Sequence, residues 1–360
     1  MAEKMKAQVF YEPLNMKLEE RDRPKVAPHE ILVEVKSVGI CGSDVAYYFG
    51  GSPLETPDGK GPLVLGHEFC AVVAEVGDMV AEAKLFSPGE RVVIDPVQYC
   101  NACEICKRGY VNLCENKAVL GVSADGAFAG YTKSHYTGVH RIPEGVAFEH
   151  AALTEPLACA TYGVQNMNIS PGDFCVVIGA GAIGIMMLQL VKSSGAGTAV
   201  LVDILDYRLD VGKDLGADEI INTGDKNSPY FVEDLPKKIE EMTGGKFADR
   251  VITPTGSVDA MESALAITGR RSIIVYFGLP GATDMIKVPA LQSIFWDKEI
   301  RFSWLAPFTW PTALQALAAG LVKVDKLVTH KYALEDLERA LGEVKERKGN
   351  VVKAVVTVSE

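Results

Sequence analysis

The sequence predicts an α/β protein of two domains, one a barrel-like, largely antiparallel β domain and the other a doubly wound parallel sheet. Three observations carry this. A chain of 360 residues exceeds one ordinary core and suits two. From Gln8 to about Val97 short β-rich segments (AQVFY, EILVEVKSVGI, FCAVVAEVG, ERVVIDP) follow one another without long helical patterns between them. From Asp173 the rhythm becomes strand, helix, strand: FCVVIG, AIGIMMLQLVKSSG, TAVLVD, DYRLDVGKDLGAD, EII, and onward to RRSIIVYFG. That alternation means βαβ units with helices on both faces of a parallel sheet.

After about Val288 the pattern changes once more, through EIRFSW, helices around Ala313–Ala319 and Leu334–Lys348, and a final strand VVKAVVTV. The last segment is expected to return to the first domain. The predicted organisation is therefore residues 1–155 with 296–360 as one domain and 156–295 as the other. The nearly continuous apolar run from Phe174 to Val191 imitates a membrane span. Gly179, Gly181 and Gly184 divide it, so it is expected as a buried strand, a tight turn and a helix.

Composition narrows the function. Thirty-six basic against 47 acidic residues give a net charge of −11. Such a surface repels phosphate backbones and anionic lipid heads, which disfavours nucleic-acid and membrane partners. The N-terminal stretch has no apolar core of signal-peptide length, and a cytoplasmic location is expected.

Four of the eight cysteines, Cys100, Cys103, Cys106 and Cys114, form C-x2-C-x2-C-x7-C within the loop 96–116. Thiols packed so closely are not core hydrophobes, and reducing conditions argue against disulfides. Structural zinc held by four thiolates is the natural occupant, the ferredoxin iron–sulfur spacings being different.

Gly179-Ala180-Gly181-Ala182-Ile183-Gly184 is G-x-G-x-x-G between a predicted strand and a predicted helix, the setting in which it cradles a dinucleotide pyrophosphate. Asp203 ends the next predicted strand, where a carboxylate accepts hydrogen bonds from an adenosine ribose and repels the 2′-phosphate of NADP. NAD is the expected coenzyme. Arg208 either flanks the adenine or lies on the helix surface.

Metal-type residues also occur at Cys41, in GICGSD, at His67-Glu68, in GHE, and at Glu155, in EPL. Singly each has a structural explanation. Cysteine, histidine and glutamate are nonetheless competent ligands for a catalytic zinc with an open position.

Taken together, in order along nearly the whole chain, these motifs resemble the zinc-dependent medium-chain alcohol dehydrogenase family, particularly its sorbitol (polyol) dehydrogenase branch. The resemblance implies a GroES-like catalytic domain and a Rossmann coenzyme domain, with zinc and NAD meeting in the cleft between them. It implies two zinc ions per chain, one structural and one catalytic. By position, Cys41 and His67 are ligands of the catalytic zinc, Glu155 stands at the glutamate of the polyol branch, and Glu68 is an exchanging ligand. Cys159 is a less favoured substitute that reads better as core. Asp44 becomes an anchor of the site, Ser43 the hydroxyl touching the reacting alcohol, and Tyr47 an aromatic lining its pocket. The implied activity is hydride transfer from a secondary alcohol or polyol to NAD, in a homodimer or homotetramer.

Two departures bear on the substrate. Many relatives carry a histidine three residues after the serine, as the outer end of a proton relay; here Ala46 stands there. Before Thr309-Trp310-Pro311 the polyol branch has arginine and tyrosine, where this chain has Leu305 and Ala306. With Trp304 and Phe308 nearby, the wall is more apolar than a sorbitol site, unless these residues meet a neighbouring subunit. A dehydrogenase for butanediol, a cyclic alcohol or threonine would share the same motifs. A non-catalytic nucleotide-binding relative would be expected to have eroded the metal set, and a zinc hydrolase would not need the glycine loop.

Overall fold

The structure, a computed structural model, describes residues 3–51 and 61–359. The chain opens with β1 (Lys4–Glu12), β2 (Asn15–Asp22), β3 (Glu30–Gly39), α1 (Gly42–Tyr48), β4 (Leu63–Val64) and β5 (Glu68–Val76). It continues through α2 (Asp78–Glu82), β6 (Arg91–Ile94), β7 (Val97–Gln98), α3 (Glu104–Lys107), β8 (Ala118–Val119), β9 (Tyr131–His135), β10 (Val139–Arg141) and α4 (Phe148–Ala151). A longer helix, α5 (Thr154–Gln165), leads into the alternating region: β11 (Phe174–Ile178), α6 (Ala182–Ser193), β12 (Thr198–Asp203), α7 (Asp206–Asp214) and β13 (Glu219–Asn222). Then come α8 (Leu235–Met242), β14 (Ala248–Thr253), α9 (Val258–Ala266), β15 (Thr268–Tyr276), α10 (Ala290–Phe295) and β16 (Glu299–Phe302). The last elements are α11 (Trp310–Ala318), β17 (Val328–Ala333), α12 (Leu337–Lys345) and β18 (Lys353–Thr357).

Two compact units result. One comprises residues 1–156, 310–318 and 328–360; the other comprises 157–309 and 319–327. In the first, a large sheet runs in the order β10-β6-β5-β3-β18-β17, with β9 also paired to β3, beside a smaller sheet β2-β1-β4. All pairs are antiparallel except β17–β18, which the intervening α12 joins as a parallel crossover. Alternating apolar side chains close the core between these sheets, among them Phe10, Ile31, Val33, Phe69 and Phe128. The C-terminal strand β18 lies inside this sheet, with Val355 opposite Gly39.

The other unit holds one all-parallel sheet in the order β13-β12-β11-β14-β15-β16. The strands start at the centre, step outward, then restart on the other side, the topology of a doubly wound dinucleotide-binding fold. Phe174–Val191 divides as its glycines predict, into β11 and α6, and Ile185 to Val191 are all buried. Among the described residues no helix is long and apolar enough to cross a membrane. Side-chain caps fix two helix starts: Asp234 accepts from Lys237 N at 2.9 Å before α8, and Ser257 accepts from Ala260 N at 3.4 Å before α9.

The parallel-sheet unit reaches beyond the expected 156–295: it runs on to Thr309 and also takes in residues 319–327. The reason for the run to Thr309 is β16, which pairs in parallel register with β15 from Ile273–Glu299 to Tyr276–Phe302. Its sequence, EIRF, is too short and too polar to announce a sheet strand on its own.

Candidate metal and coenzyme sites

The sequence after β3 turns sharply, and Cys41 becomes the N-cap of α1. Asp44, three residues on and only 1% exposed, accepts from Cys41 N at 2.8 Å and so closes the first turn. Its other oxygen faces the neighbouring segment, accepting from Gly66 N at 3.3 Å and lying 3.5 Å from His67 Nδ1. One carboxylate therefore holds the loop that presents Cys41 to the loop that presents His67. Glu68, the first residue of β5, stands opposite Gly39 in the β3–β5 register. The result is a group of three donor atoms, from Cys41, His67 and Glu68, all within 4.8 Å of one another. Ser43 Oγ lies 3.4 Å from His67 Nε2.

The electrostatics suit a cation. Burial works against a charged imidazole at His67, yet the anionic surroundings, Asp44 first and then Cys41, outweigh it and hold its pKa well above the ordinary value. A soft thiolate, an imidazole and a carboxylate are the donor set that zinc accepts with a position to spare.

Not every expected residue joins this group. Glu155 sits half-buried in the first turn of α5 and lies outside the three-donor set. Tyr47, expected on the wall of a substrate pocket, is 1% exposed; its hydroxyl donates to Val122 O at 3.0 Å and its ring meets Phe10 edge-on. Tyr47 thus packs in the core of this unit, with its hydroxyl held by Val122 O. A cavity of about 530 Å³ between the two sheets, lined by Arg21, Glu30, Gln98, Tyr131 and Lys133 among others, contains none of the predicted residues.

Sequence reading missed Asp95, at the end of β6. Burial, and secondarily the charge of Glu155, push its carboxyl up to about 7, while Val97 N donates to it at 2.9 Å. Nearby, His140 stacks on the buried Trp310 with rings parallel to 2° and 5.4 Å apart, and burial pushes His140 down to about 4. The fold thus prefers neutral His140. Its contribution is complete above pH 6.5, where the unfolded imidazole is also neutral, and is lost as pH falls through 6.5 toward 4. Asp95, with its raised pKa, acts with the opposite sign over the same range. Comparing urea melts of wild type and His140→Gln therefore isolates the histidine: wild type should lose up to about 3 kcal/mol more than the variant between pH 7 and pH 4. Parallel pH profiles would overturn this assignment.

The four-cysteine loop is a second donor cluster. The Sγ atoms of Cys100, Cys103, Cys106 and Cys114 also lie within 4.8 Å of one another, with Cys100–Cys114 at 3.5 Å and Cys103–Cys114 at 4.0 Å. A tetrahedron with metal–sulfur bonds of about 2.3 Å has edges of about 3.8 Å. Backbone N–H groups already point at the sulfurs, Cys103 N to Cys100 Sγ at 3.3 Å and Cys106 N to Cys103 Sγ at 3.4 Å. The amides of Ala102 and Cys103 draw the Cys100 thiol down to about 6, toward the thiolate that binds metal. No cysteine forms a disulfide.

At the glycine motif, β11 ends in Gly179 at φ +123°, a conformation closed to side chains, and the chain turns into α6 with Gly181 as N-cap. A Cβ at Gly184 would collide with the carbonyl of Gly179, whereas one at Gly181 would meet nothing within 4 Å. The first position seals helix to strand; the second leaves the space a pyrophosphate needs. Gly181 caps without a side chain, so the first amides of α6, including that of Ile183, are available to an anion. Asp203 is busier than its motif implies: it accepts from Ala180 N at 2.6 Å, Ile204 N at 2.8 Å and Leu205 N at 3.0 Å. It ties the glycine loop to the end of β12. Arg208 donates from Nε to the Tyr207 hydroxyl at 3.1 Å on the surface of α7.

Comparison with known proteins gives the same outline. Residues 27–144 match the alcohol dehydrogenase GroES-like domain, and 182–319 match the zinc-binding dehydrogenase domain. Sorbitol dehydrogenase of Bacillus subtilis (strain 168) is 32% identical over 356 residues, 98% of this chain and 97% of that protein. Among solved structures, an alcohol dehydrogenase of E. coli CFT073 complexed with NADH is similar with TM-score 0.88 and 29% identity, covering 99% of both chains. A protein of Sinorhizobium meliloti 1021 bound to NADP is similar with TM-score 0.87 and 26% identity, covering 99% of this chain and 100% of that one.

Proposed function

The chain belongs to the zinc-binding dehydrogenase family, with a sorbitol dehydrogenase among its relatives, and we propose that it oxidises a secondary alcohol or polyol to the ketone with NAD as hydride acceptor. Its class is that of a zinc-dependent alcohol and polyol oxidoreductase. The observation that carries the specific reading is the convergence of Cys41, His67 and Glu68 beside the Ser43 hydroxyl.

Cys41 and His67, with Glu68 or Glu155 as third donor, would hold the catalytic zinc, and the four-cysteine loop a structural one. Bound zinc supplies a Lewis acid that lowers the pKa of an alcohol, and bound NAD supplies the hydride acceptor. Asp44 fixes His67 through Nδ1 and leaves its other nitrogen toward Ser43. Ser43 Oγ would accept the alcohol proton while passing its own hydroxyl proton on toward cofactor ribose and solvent. Gly181 and the first turn of α6 seat the pyrophosphate, and Asp203 accepts the ribose hydroxyls. An alcohol panel with NAD and NADP, read by the absorbance of reduced cofactor, tests this. No turnover of any secondary alcohol with either cofactor would overturn it.

A less polar substrate, such as butanediol or a cyclic alcohol, is the second reading. Leu305 and Ala306 favour it, because they offer sugar hydroxyls neither charge nor hydrogen-bond donor.

Asp203 decides the coenzyme. Asp203→Ala removes ribose acceptor and charge together, so NAD binding should weaken by on the order of 1–3 kcal/mol and discrimination against NADP should shrink. The three backbone bonds mean that alanine also loosens the glycine loop. Asp203→Asn, which keeps an acceptor, should therefore lose discrimination with less loss of NAD affinity. Calorimetric titration of both nucleotides checks it; an unchanged preference would refute the assignment.

A homodimer or homotetramer is part of the same reading. Among the described residues β16 ends the parallel sheet with one side unpaired, Phe302 on it is 73% exposed, and α10 buries none of its residues although it carries Leu291, Ile294 and Phe295. An apolar face against a bare strand edge suits a second copy of the chain. Light scattering should show Phe302→Asp shifted toward monomer. That none of the eight cysteines is joined in a disulfide agrees with a reducing, cytoplasmic setting.

A further inference from the structure

Behind the three-donor group lies a charge that no motif contains. Lys353, the first residue of β18, is 7% exposed, and its ammonium forms an ion pair with the carboxylate of Glu68, itself 1% exposed. Lys353 Nζ also donates to Ile40 O at 2.9 Å, in the turn that delivers Cys41. The register fixes this placement, since β18 runs antiparallel to β3 with Val355 opposite Gly39. Gly39 makes the room: a Cβ there would strike Glu68 Oε2 and press on Lys353 Cε at 3.1 Å. A lysine buried to this degree is uncommon and must be paired.

The geometry points to Lys353 as a positioning residue that competes with the metal for Glu68. The inference rests on the reading of Cys41, His67 and Glu68 as metal donors. A carboxylate shared between a buried ammonium and a divalent cation gives each less than a free carboxylate would. In a low-dielectric site that division is set by charge and distance rather than by water. Glu68 held back by Lys353 is a weak donor that can yield its place to an incoming oxygen. Without the ammonium, Glu68 has only the metal to neutralise it and becomes a firm ligand. The ion pair thus keeps the fourth position exchangeable. A purely structural ion pair would predict the reverse for metal: its loss would loosen the site.

The test is metal release from the zinc-loaded protein to a chromogenic chelator, following the faster of the two zinc phases. Lys353→Met should slow that phase by on the order of 10-fold, opposite in sign to the loss of metal affinity that follows removal of a group that merely orients a ligand. Lys353→Arg, which keeps the charge, should stay near wild type. In the Glu68→Gln background, adding Lys353→Met should change release little, because the carboxylate through which the lysine acts is gone. Cobalt-substituted protein gives a second readout: its ligand-field bands should shift on Lys353→Met and not on adding that change to Glu68→Gln. Should Lys353→Met fail to fold, Lys353→Gln, which retains an N–H donor for Ile40 O, carries the same expectation. Release at the wild-type rate or faster in a folded variant overturns the inference, as does an equal slowing in the Glu68→Gln background. If wild-type protein carries no zinc that Cys41→Ser removes, the metal reading itself fails and the inference falls with it.

Discussion

Ser43→Ala should lower the pre-steady-state rate of hydride transfer by roughly 10²–10⁴-fold at neutral pH, the usual worth of a positioned proton acceptor. Ser43 lies in the first turn of α1, with its hydroxyl 3.4 Å from His67 Nε2, beside the donor group. Ala46 follows three residues later on the same short helix, so it shares a face with Ser43 and offers no group to carry the proton onward. On the proposed reading, proton release passes from Ser43 by way of cofactor ribose and solvent. Ala46→His should raise alcohol oxidation near neutral pH, with a smaller gain at high pH, where hydroxide takes the proton. Ser43→Ala should depress the rate in both backgrounds. Stopped-flow measurement of the four variants across pH settles the matter. A null effect of Ala46→His at every pH, with Ser43→Ala still crippling, would mean that another group already completes the relay.

Mild chelation should abolish activity while about half of the zinc stays with the folded chain. A site with an exchangeable position gives up its ion more readily than a closed set of four thiolates. The cysteine loop has little else to hold it: its cluster consists of Cys106, Val111 and Cys114, with Tyr99, Cys100 and Cys103 partly buried against them. Stripping the second zinc with a stronger chelator, or with Cys106→Ala, should therefore unfold this lobe, since structural zinc is worth on the order of 10 kcal/mol or more in small domains. Zinc analysis with hydrogen exchange over residues 99–116 reads both events. One zinc per chain in fully active protein would end the two-site reading.

What the sequence disclosed and what it withheld divide along a physical line. Local constraints are visible in order: the glycines at a tight turn, thiols a few residues apart, the strand–helix rhythm of the parallel sheet. Pairings between distant segments are not. Lys353 and Glu68 meet only because β18 and β5 flank β3, and nothing in VVKAVVTV marks one lysine as buried. Asp203 is recognisable as a strand-end carboxylate, but its bonds to three backbone amides depend on the path of the following turn. Asp95 could have been noticed as an acid ending an apolar strand, RVVIDP, a place where burial raises a carboxyl. Burial is hidden in the same way: Tyr47 stands beside GICGSD in the sequence, and only the fold shows its ring packed edge-on against Phe10.

The insertion of β18 between β3 and β17 has a consequence for the order in which the protein is made. The half that carries the metal donors is begun first, yet it lacks an interior strand until the ribosome reaches Lys353–Thr357. The parallel-sheet half, which ends at Leu327, is by then wholly translated and has every strand it needs. Domains generally fold as units as they emerge, so the coenzyme half should mature while its partner waits with Ser37–Gly39 of β3 bare on the edge that β18 will cover. Nascent chains arrested near residue 345 should then contain a protease-resistant core from the inserted half and a digestible remainder.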